Sequence, residues 1–597
     1  MKKQLQSKFP YCILLFAGIL LLIKCFFSFC WSDETFYFST AYRFYQGDSI
    51  FQHDWFPTQL SSVMLLPLFS AFVKIVGSTE GVILFFRICF VIYAVILSIV
   101  IYRIIRHSYP QWIALICALL YLFYTHLNIA TLSYYTMSVG FFLVAMLLIY
   151  HYYQTELRRY LVWSGVLFAL SVLALPTMAV AYVLVIFGIA VLLLACRFLP
   201  LPVWIKHAVE QAQLVTVCLW QFFGIIVPAA IFGIFLLTNV KIQDFIQAIP
   251  YVLSDEEHGT SLIYPLKKFF IGINEVYGYA AYLGYLLIIV TVVLALLEAH
   301  TKAVHKTVKV LLCVADICLF AVYFTCSLGH TGYIQTALCM FALPLFFLTY
   351  KRSARNFFLL FASGMIFSVV YSYSSNGYLY ILAMGHSIAA IGGVMMIYDF
   401  KQEICNEDTD SNLMEILSVL CTCVVMIALL QTITLRFVNV YRDAPLQDLT
   451  VKLEVGPAKG LYTTAKHAEM YQTVYDVLMS ECQSANLDPS KENNNSLFVT
   501  KLLPFGYLCS DLKCGSPTSW RTMFSSTRLD DYYTINPDRY PDIILVLDEE
   551  YGSYDTCGDV VADPTPNENE VGGYLLDYVQ EEGYEVIDVE CGTVYRR

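Results

Sequence analysis

The sequence predicts an α-helical protein that crosses a membrane about thirteen times and carries a small α/β domain at its C-terminal end. Of the 597 residues, 58% are hydrophobic and 14% are charged, whereas a soluble domain is nearer half apolar and a quarter charged. The apolar residues form runs of about 20, the length at which a helix crosses a bilayer. Acidic residues gather at the chain end: from Tyr441 onward there are 27 acidic and 12 basic residues, although the whole chain carries only −11.

Each of the thirteen apolar runs is interpreted as one membrane span. The segment from Tyr160 to Arg197 is too long for one span, and Pro176 favours a break that divides it into two. The predicted spans are residues 11–30, 82–105, 112–130, 135–153, 160–175, 177–196, 215–238, 276–298, 308–327, 332–350, 356–373, 377–398 and 414–436.

Lys and Arg residues in the loops predict the orientation of the chain. They cluster in alternate loops, for example at Arg103 and Arg106, and such clusters favour the cytoplasm. The N-terminus is therefore expected in the cytoplasm and the C-terminal domain outside it, in a multi-pass protein of the plasma membrane. The first apolar run is long and lacks a small-residue cleavage site, so it is interpreted as an uncleaved span.

Two loops on the outer side are long, at residues 31–81 and 239–275. Both mix aromatic, acidic and amphipathic stretches, of which Thr35–Tyr45 and Tyr264–Phe270 are examples. Amphipathic helices of this kind can lie flat on the outer leaflet.

The acidic segment at residues 441–597 follows the membrane domain at residues 1–440 and alternates between helical and strand patterns. This alternation favours a sheet with flanking helices. Its five cysteines are irregularly spaced, so no disulfide framework is expected, although Cys509 and Cys514 could pair. The predicted helices are Lys466–Ser484 and Gly573–Glu582, and the predicted strands are Ser496–Lys501, Asp542–Leu547, Tyr584–Val589 and Gly592–Tyr595.

The composition argues against some classes of function. Nucleic-acid binding requires a basic stripe, and nothing in the sequence suggests one. The chain has no CxxC or HExxH pattern, so no metal or other cofactor is indicated, and a divalent metal stays an open alternative.

The charged motif with the clearest chemical meaning is Asp33-Glu34, directly after the first span. Two adjacent carboxylates at a membrane boundary are costly if they face lipid. A carboxylate aimed into an outward cavity could instead accept a proton from an acceptor hydroxyl. The alternative is a solvated loop start, because acidic residues commonly flank the outer end of a span.

The motif continues with Ala41-Tyr42-Arg43-Phe44, Gly47-Asp48 and His53-Asp54-Trp55-Phe56-Pro57-Thr58-Gln59-Leu60, before an apolar helix that contains Pro67. This order resembles the first outer loop of membrane glycosyltransferases of the GT-C superfamily. Examples are the protein O-mannosyltransferases, the aminoarabinose transferase of lipid A and many uncharacterised bacterial relatives. Those enzymes also begin with a short inside N-terminus and one span, and several branches have about thirteen spans and an outer C-terminal domain.

The resemblance implies that Asp33 is the catalytic carboxylate and that Glu34 supports it. It also implies a basic residue that contacts the donor phosphate, where related enzymes carry His-Pro-Pro or Lys-Pro-Pro. Here that stretch reads Phe56-Pro57-Thr58-Gln59, without the basic residue. Arg43 or His53 could substitute for it. Asp54 and Gln59 are further candidates for substrate binding.

The second long loop offers Lys267 and Lys268 as ligands of the donor phosphate, because negative charge builds on the phosphate as it leaves. The alternative is that both lysines snorkel to lipid headgroups. The acidic stretch Asp255–His258 is interpreted as a solvated turn, with a metal site as the alternative.

Aromatic residues of the short outer loops could form a wall that contacts a sugar, or an ordinary interfacial belt. These residues are Tyr134, Tyr135, His330 and Tyr333. Asp316 lies inside a predicted span, where the cost of burial indicates either a function or a hydrogen bond to another helix.

These observations predict an inverting glycosyltransferase that moves a sugar from a polyprenyl-phosphate donor to an extracytoplasmic glycan, lipid or protein. Its partners would be that donor, membrane lipid and the acceptor, with no nucleic acid. One alternative is a transporter or flippase, against which the absence of an internal repeat counts. Another is a polymerase or ligase for lipid-linked glycans, whose key groups would lie in a large late outer loop.

Overall fold

The membrane part of the chain is helical, as its apolar runs predict. A computed structural model of the protein describes residues 2–198, 212–254, 263–300, 306–375, 377–406, 412–483, 495–500, 503–520, 526–551 and 568–597. Each of the thirteen predicted spans overlaps a helix, and Pro176 lies in the break where the sequence predicts one. The helices are α1 (Lys2–Lys24), α2 (Asp33–Tyr45), α3 (Gln59–Val76), α4 (Val82–Arg106), α5 (Gln111–Phe123), α6 (Tyr134–Thr155), α7 (Arg159–Ala174), α8 (Met178–Phe198), α9 (Leu214–Asn239), α10 (Ile242–Leu253), α11 (Tyr264–Tyr277), α12 (Tyr279–His300), α13 (Lys306–Cys326), α14 (Tyr333–Leu348), α15 (Tyr350–Asn356), α16 (Ala362–Ser372), α17 (Leu379–Asn406) and α18 (Asn412–Val438).

Ten helices among the described residues are long and apolar enough to cross a membrane. Three more of the predicted spans, α5, α7 and α14, are apolar helices of shorter length. The chain therefore has the composition of a multi-pass membrane protein.

Helix α3 is one of the ten, although the sequence places it in the first long loop. It has 18 residues and a mean hydropathy of 1.7. Both of its flanks contact the C-terminal domain: Trp55 N donates to Pro517 O at 2.8 Å, and Thr79 Oγ1 donates to Leu508 O at 2.7 Å. The two ends of α3 therefore lie on the same side of the helical bundle, called here the domain side.

Helix α2 is buried inside the protein, although its amphipathic pattern predicts one exposed face. All of its residues except Tyr45 are buried. The Phe38 ring stacks on Phe86 of α4 at 4.5 Å, and Ser39 Oγ lies 2.6 Å from Ser519 Oγ of the C-terminal domain. Helix α2 is thus covered by membrane helices on one face and by the C-terminal domain on the other, and its placement relative to the outer leaflet stays a prediction.

The described residues of the C-terminal segment form two sheets and three longer helices, and the predicted helices and strands are confirmed. Strands β1 and β2 are antiparallel. The larger sheet has the order β4-β3-β5-β7-β6, in which β3 is parallel to β4 and β5, and β7 is antiparallel to β5 and β6. Cys509 and Cys514 are both free thiols. The elements are β1 (Val451–Lys452), β2 (Tyr462–Thr463), α19 (Ala465–Gln483), β3 (Ser496–Val499), β4 (Lys513–Cys514), α20 (Ser526–Ile535), β5 (Ile543–Leu547), α21 (Glu568–Glu582), β6 (Glu585–Val589) and β7 (Gly592–Arg596).

The short segment between α1 and α2 is paired with the C-terminal domain. Phe27 forms a parallel bridge with Tyr462 of β2. Tyr462 N donates to Phe26 O at 2.7 Å, and Ser28 N donates to Tyr462 O at 2.9 Å. The Phe29 ring packs edge-to-face against another ring of the domain at 5.1 Å. The residues directly before Asp33 are thus packed as part of the C-terminal domain.

Candidate active site

Asp33 and Glu34 occupy the first turn of α2, at the domain side of the membrane helices. The amide groups of a helix N-terminus carry partial positive charge, which favours carboxylates there. Both side chains are buried, Asp33 with 6% and Glu34 with 1% of its surface exposed. They are therefore held in fixed environments, in contrast to the solvated loop start that was the alternative interpretation.

Asp33 is bound by two residues that follow the last membrane helix. Tyr441 Oη donates to Asp33 Oδ2 at 2.5 Å, and Arg442 Nη1 contacts the same oxygen at 2.8 Å. Asp33 Oδ1 receives no hydrogen bond from the described residues. One carboxylate oxygen is therefore anchored, and the other is available to a substrate proton.

Arg442 was not identified by the sequence, although a Tyr-Arg-Asp stretch directly after a span was a usable signal. Its backbone is left-handed, with φ of 43°, a conformation that is costly for a residue with a side chain. Nη1 contacts Ser32 Oγ at 3.2 Å besides Asp33. The Nε and Nη2 donors contact none of the described residues, and the side chain is 33% exposed. Arg442 therefore has free donors beside the carboxylate.

Glu34 forms a buried ion pair with Arg87 of α4. Nε and Nη2 of Arg87 donate to the two oxygens of Glu34 at 2.7 and 2.5 Å. Arg87 Nη1 also donates to the backbone oxygens of Cys25, Phe27 and Ser28. The signal for Arg87 was an arginine inside an apolar run. Its contacts give Glu34 a supporting position, joining α2 and α4 beneath Asp33.

Seven aromatic side chains, called here the aromatic wall, connect the helix of Asp33 to the short loops on the domain side. The ring centroids of successive members of the wall lie 4.0 to 6.0 Å apart. Burial lowers the pKa of His126 to about 3 and that of His330 to about 4, so both rings are neutral at pH 7. The wall includes all four aromatic residues that the sequence singled out. In order, it consists of Tyr37, Tyr134, Tyr135, His126, Tyr380, His330 and Tyr333.

The loop between α5 and α6 supports this wall in a strained conformation. Leu127 and Asn128 both have positive φ, at 45° and 65°. Arg436 of α18 is buried and donates to Thr125 Oγ1 at 2.5 Å. Nδ1 of the neighbouring His126 has no hydrogen-bond partner among the described residues. Strained backbone of this kind is concentrated at functional sites.

Arg43, His53 and Asp54 are brought together, but in a network of protein contacts. Arg43 is 1% exposed and contacts Asp48 at 2.8 Å and Asp54 at 3.3 Å. It also donates to His53 O, and Asp48 pairs with Arg539 of the C-terminal domain at 2.8 Å. This network joins the first loop to the domain.

Gln59 and His53 are likewise engaged with backbone. Gln59 Nε2 donates to Asp54 O at 2.8 Å, and its Oε1 accepts from Phe51 N at 2.9 Å. His53 Nδ1 accepts from Ser49 N at 2.8 Å. These contacts shape the first loop, and a role in binding substrate stays a prediction for all four candidates of this loop.

The two lysines of α11 differ in exposure. Lys267 is exposed, beside the exposed apolar Leu266. Lys268 is 1% exposed, donates to Ser375 O, and lies 5.9 Å from the Tyr378 ring centroid. Burial lowers the pKa of Lys268 to about 8. Lys268 therefore lies near Tyr378, which directly precedes α17 and stands two residues before the wall residue Tyr380.

Asp316 is buried in α13, and neither of its carboxyl oxygens has a hydrogen-bond partner among the described residues. The stretch Asp255–His258 lies outside the described residues. Within the part of the chain that the structure describes, no group of three or more His, Cys, Asp or Glu side chains could hold a metal ion.

Comparisons with known proteins return a match among the solved structures. No family model and no curated protein matches the sequence. The chain is similar to the archaeal oligosaccharyltransferase AglB from Archaeoglobus fulgidus, solved in complex with an inhibitory peptide and a dolichol-phosphate. The match has 11% identity and a TM-score of 0.43, and it covers 91% of this chain and 70% of that one.

Proposed function

We propose that the protein is a membrane glycosyltransferase that uses a polyprenyl-phosphate-linked sugar and inverts the anomeric carbon. The observation that carries the proposal is the Asp33 carboxylate, with one oxygen anchored by Tyr441 and Arg442 and the other without a partner among the described residues. A base and a cation are thus adjacent at the end of the first membrane helix. A lipid-borne donor and a water-borne acceptor can meet at such a position.

The chemical step assigns one role to each group. Asp33 Oδ1 takes the proton of an acceptor hydroxyl while that oxygen bonds to the anomeric carbon. The bond between the anomeric carbon and the phosphate oxygen breaks, and its electrons remain on the lipid phosphate. The free donors of Arg442 stabilise this developing charge, because charge-assisted hydrogen bonds to phosphate are strong.

The aromatic wall is proposed as the surface that contacts the sugar. Tyr380, His330 and Tyr333 are partly exposed, and the histidines are neutral, so the wall offers flat faces and uncharged polar atoms. Such a surface suits a sugar ring, which has apolar faces and a rim of hydroxyl groups. Lys268 would approach the donor phosphate from the second long loop.

The proposal places the N-terminus in the cytoplasm and the acceptor outside, in a plasma membrane. A transporter or flippase remains the alternative in which Asp33 and Arg442 form a gate and no bond is broken. Measurement of covalent transfer separates the two functions.

The test is transfer of a radiolabelled polyprenyl-linked sugar in vesicles. Asp33→Asn keeps the shape of the side chain but cannot accept the proton, so we expect turnover to fall by roughly 10²–10⁴-fold. Donor binding should change little. The matched control is Asp476→Asn, an exposed position on α19, which should transfer at the wild-type rate. Normal transfer by Asp33→Asn would refute the assignment of the base.

A further inference from the structure

Asp443 is a buried carboxylate beside the proposed site, and the proposed chemical step does not use it. Its residue is 0% exposed. Oδ2 accepts hydrogen bonds from Phe29 N at 2.7 Å and from Thr463 Oγ1 at 2.9 Å. Oδ1 accepts from Ala444 N and pairs with His467 Nδ1, both at 2.8 Å. Each oxygen therefore has two partners.

These four contacts join three separate parts of the molecule. Phe29 belongs to the segment that leads into Asp33, and Ala444 belongs to the segment that carries Arg442. Thr463 and His467 lie on β2 and on the first turn of α19 in the C-terminal domain. One carboxylate thus fixes both catalytic segments to the same small piece of that domain.

The distance between Asp33 and Arg442 depends on how the segments that carry these two residues are placed. Asp33 lies four residues after Phe29, and Arg442 directly precedes Asp443. The left-handed backbone of Arg442 persists only if its surroundings over-determine it. A saturated, buried carboxylate at the next residue supplies that constraint.

We propose that Asp443 is a positioning residue, which sets the placement of Asp33 relative to Arg442 by holding both segments against the C-terminal domain. Its four contacts are called here the clasp. The inference rests on the proposed function for its effect on turnover. The clasp itself can be measured without any activity.

The first variant is Asp443→Asn, which keeps the shape but removes the charge and replaces one acceptor oxygen with an NH2 donor. We expect kcat to fall by about 10²-fold, as a small misplacement of reacting groups does, while KM for the donor changes by less than about twofold. Hydrogen exchange of the peptide that contains Phe29 should become at least about tenfold faster, because its amide loses a bond to a charged group.

Two further variants distinguish positioning from general stability. Asp448→Asn, exposed in the same segment, should match the wild type in both measurements. His467→Asn keeps an N–H donor near the place of Nδ1 and should retain most of kcat, whereas His467→Ala should resemble Asp443→Asn.

Two results would overturn the proposal. Unchanged exchange at Phe29 in Asp443→Asn would show that no clasp exists, whatever the protein catalyses. Faster exchange with an unchanged kcat would leave Asp443 a structural residue only. If the wild-type protein transfers no sugar, the proposed function fails, and the exchange measurement still decides whether the clasp holds.

Discussion

Arg442 is the residue whose loss tests the donor side of the site. Its Nε and Nη2 contact none of the described residues, while Nη1 is held by Asp33 and Ser32. We expect Arg442→Gln to lower kcat/KM for the lipid-linked donor by roughly 10–100-fold, since hydrogen bonds to charged groups contribute about 1.5–3 kcal/mol. Initial rates over a range of donor concentrations measure this.

Arg442→Lys is the informative companion variant. Lysine keeps the charge but loses the planar fork that binds phosphate through two parallel hydrogen bonds. The kcat/KM of Arg442→Lys for the lipid-linked donor should lie between the values of the wild type and of Arg442→Gln. Equal activity of all three proteins would exclude a contact between Arg442 and the phosphate.

Glu34 contributes mainly through its ion pair. Glu34 and Arg87 are 1% and 2% exposed, and removal of one partner of a buried pair typically costs about 3–5 kcal/mol, because the other charge remains uncompensated. Glu34→Gln should therefore lower the melting temperature of the protein in detergent. Its effect on turnover should be smaller than that of Asp33→Asn. Glu80→Gln, which breaks an exposed pair with Lys459, is the control and should melt as the wild type does.

Helix α11 presents two adjacent lysines in different environments, so each is a control for the other. Burial lowers the pKa of Lys268 to about 8, from about 10.4 for an ordinary lysine. Its cationic form is therefore present below pH 8 and is lost as the pH rises through 8. We expect donor binding to weaken between pH 7 and 9 in the wild type and in Lys267→Gln.

Lys268→Gln should bind the donor more weakly at pH 7 and should lack this pH dependence. Binding of a fluorescent polyprenyl phosphate at a series of pH values measures both effects. A pH dependence that survives in Lys268→Gln would assign it to another group. Lys267 would then share with Lys268 the simpler role of contact with lipid headgroups.

The sequence predicted where helices and strands lie, but it did not predict which of them contact one another. Apolar runs and the alternation of helix and strand are local patterns, so the membrane helices and the strands β3, β5, β6 and β7 could be read from them. The burial of α2 could not, because part of the surface that covers it, the C-terminal domain, lies hundreds of residues further along the chain. Tyr441 and Arg442, the partners of Asp33, were not predicted because they are equally far from it in sequence. Asp33 itself could be proposed as a site residue because its position after the first span is a local feature.

At the scale of the whole molecule, the side on which the C-terminal domain lies can be measured directly. Basic clusters predict that this side faces away from the cytoplasm. Glu581→Cys, on the exposed face of α21, should react with an impermeant maleimide in intact cells. His107→Cys, exposed after α4, should react only after permeabilisation. The reverse pattern would invert the orientation and exclude an extracytoplasmic acceptor.

The contact between Phe29 and Asp443 also determines when the proposed site can be completed during synthesis of the chain. The two residues are 414 positions apart. At about 5–20 residues per second, a ribosome needs on the order of 20–80 s to add that length of chain. Throughout this time the segment that carries Asp33 lacks its contacts with strand β2, the Asp443 carboxylate and Arg442. If the proposed function holds, a nascent or truncated chain that ends before Arg442 is therefore unable to transfer sugar, and activity requires synthesis at least through the segment that carries Arg442 and Asp443.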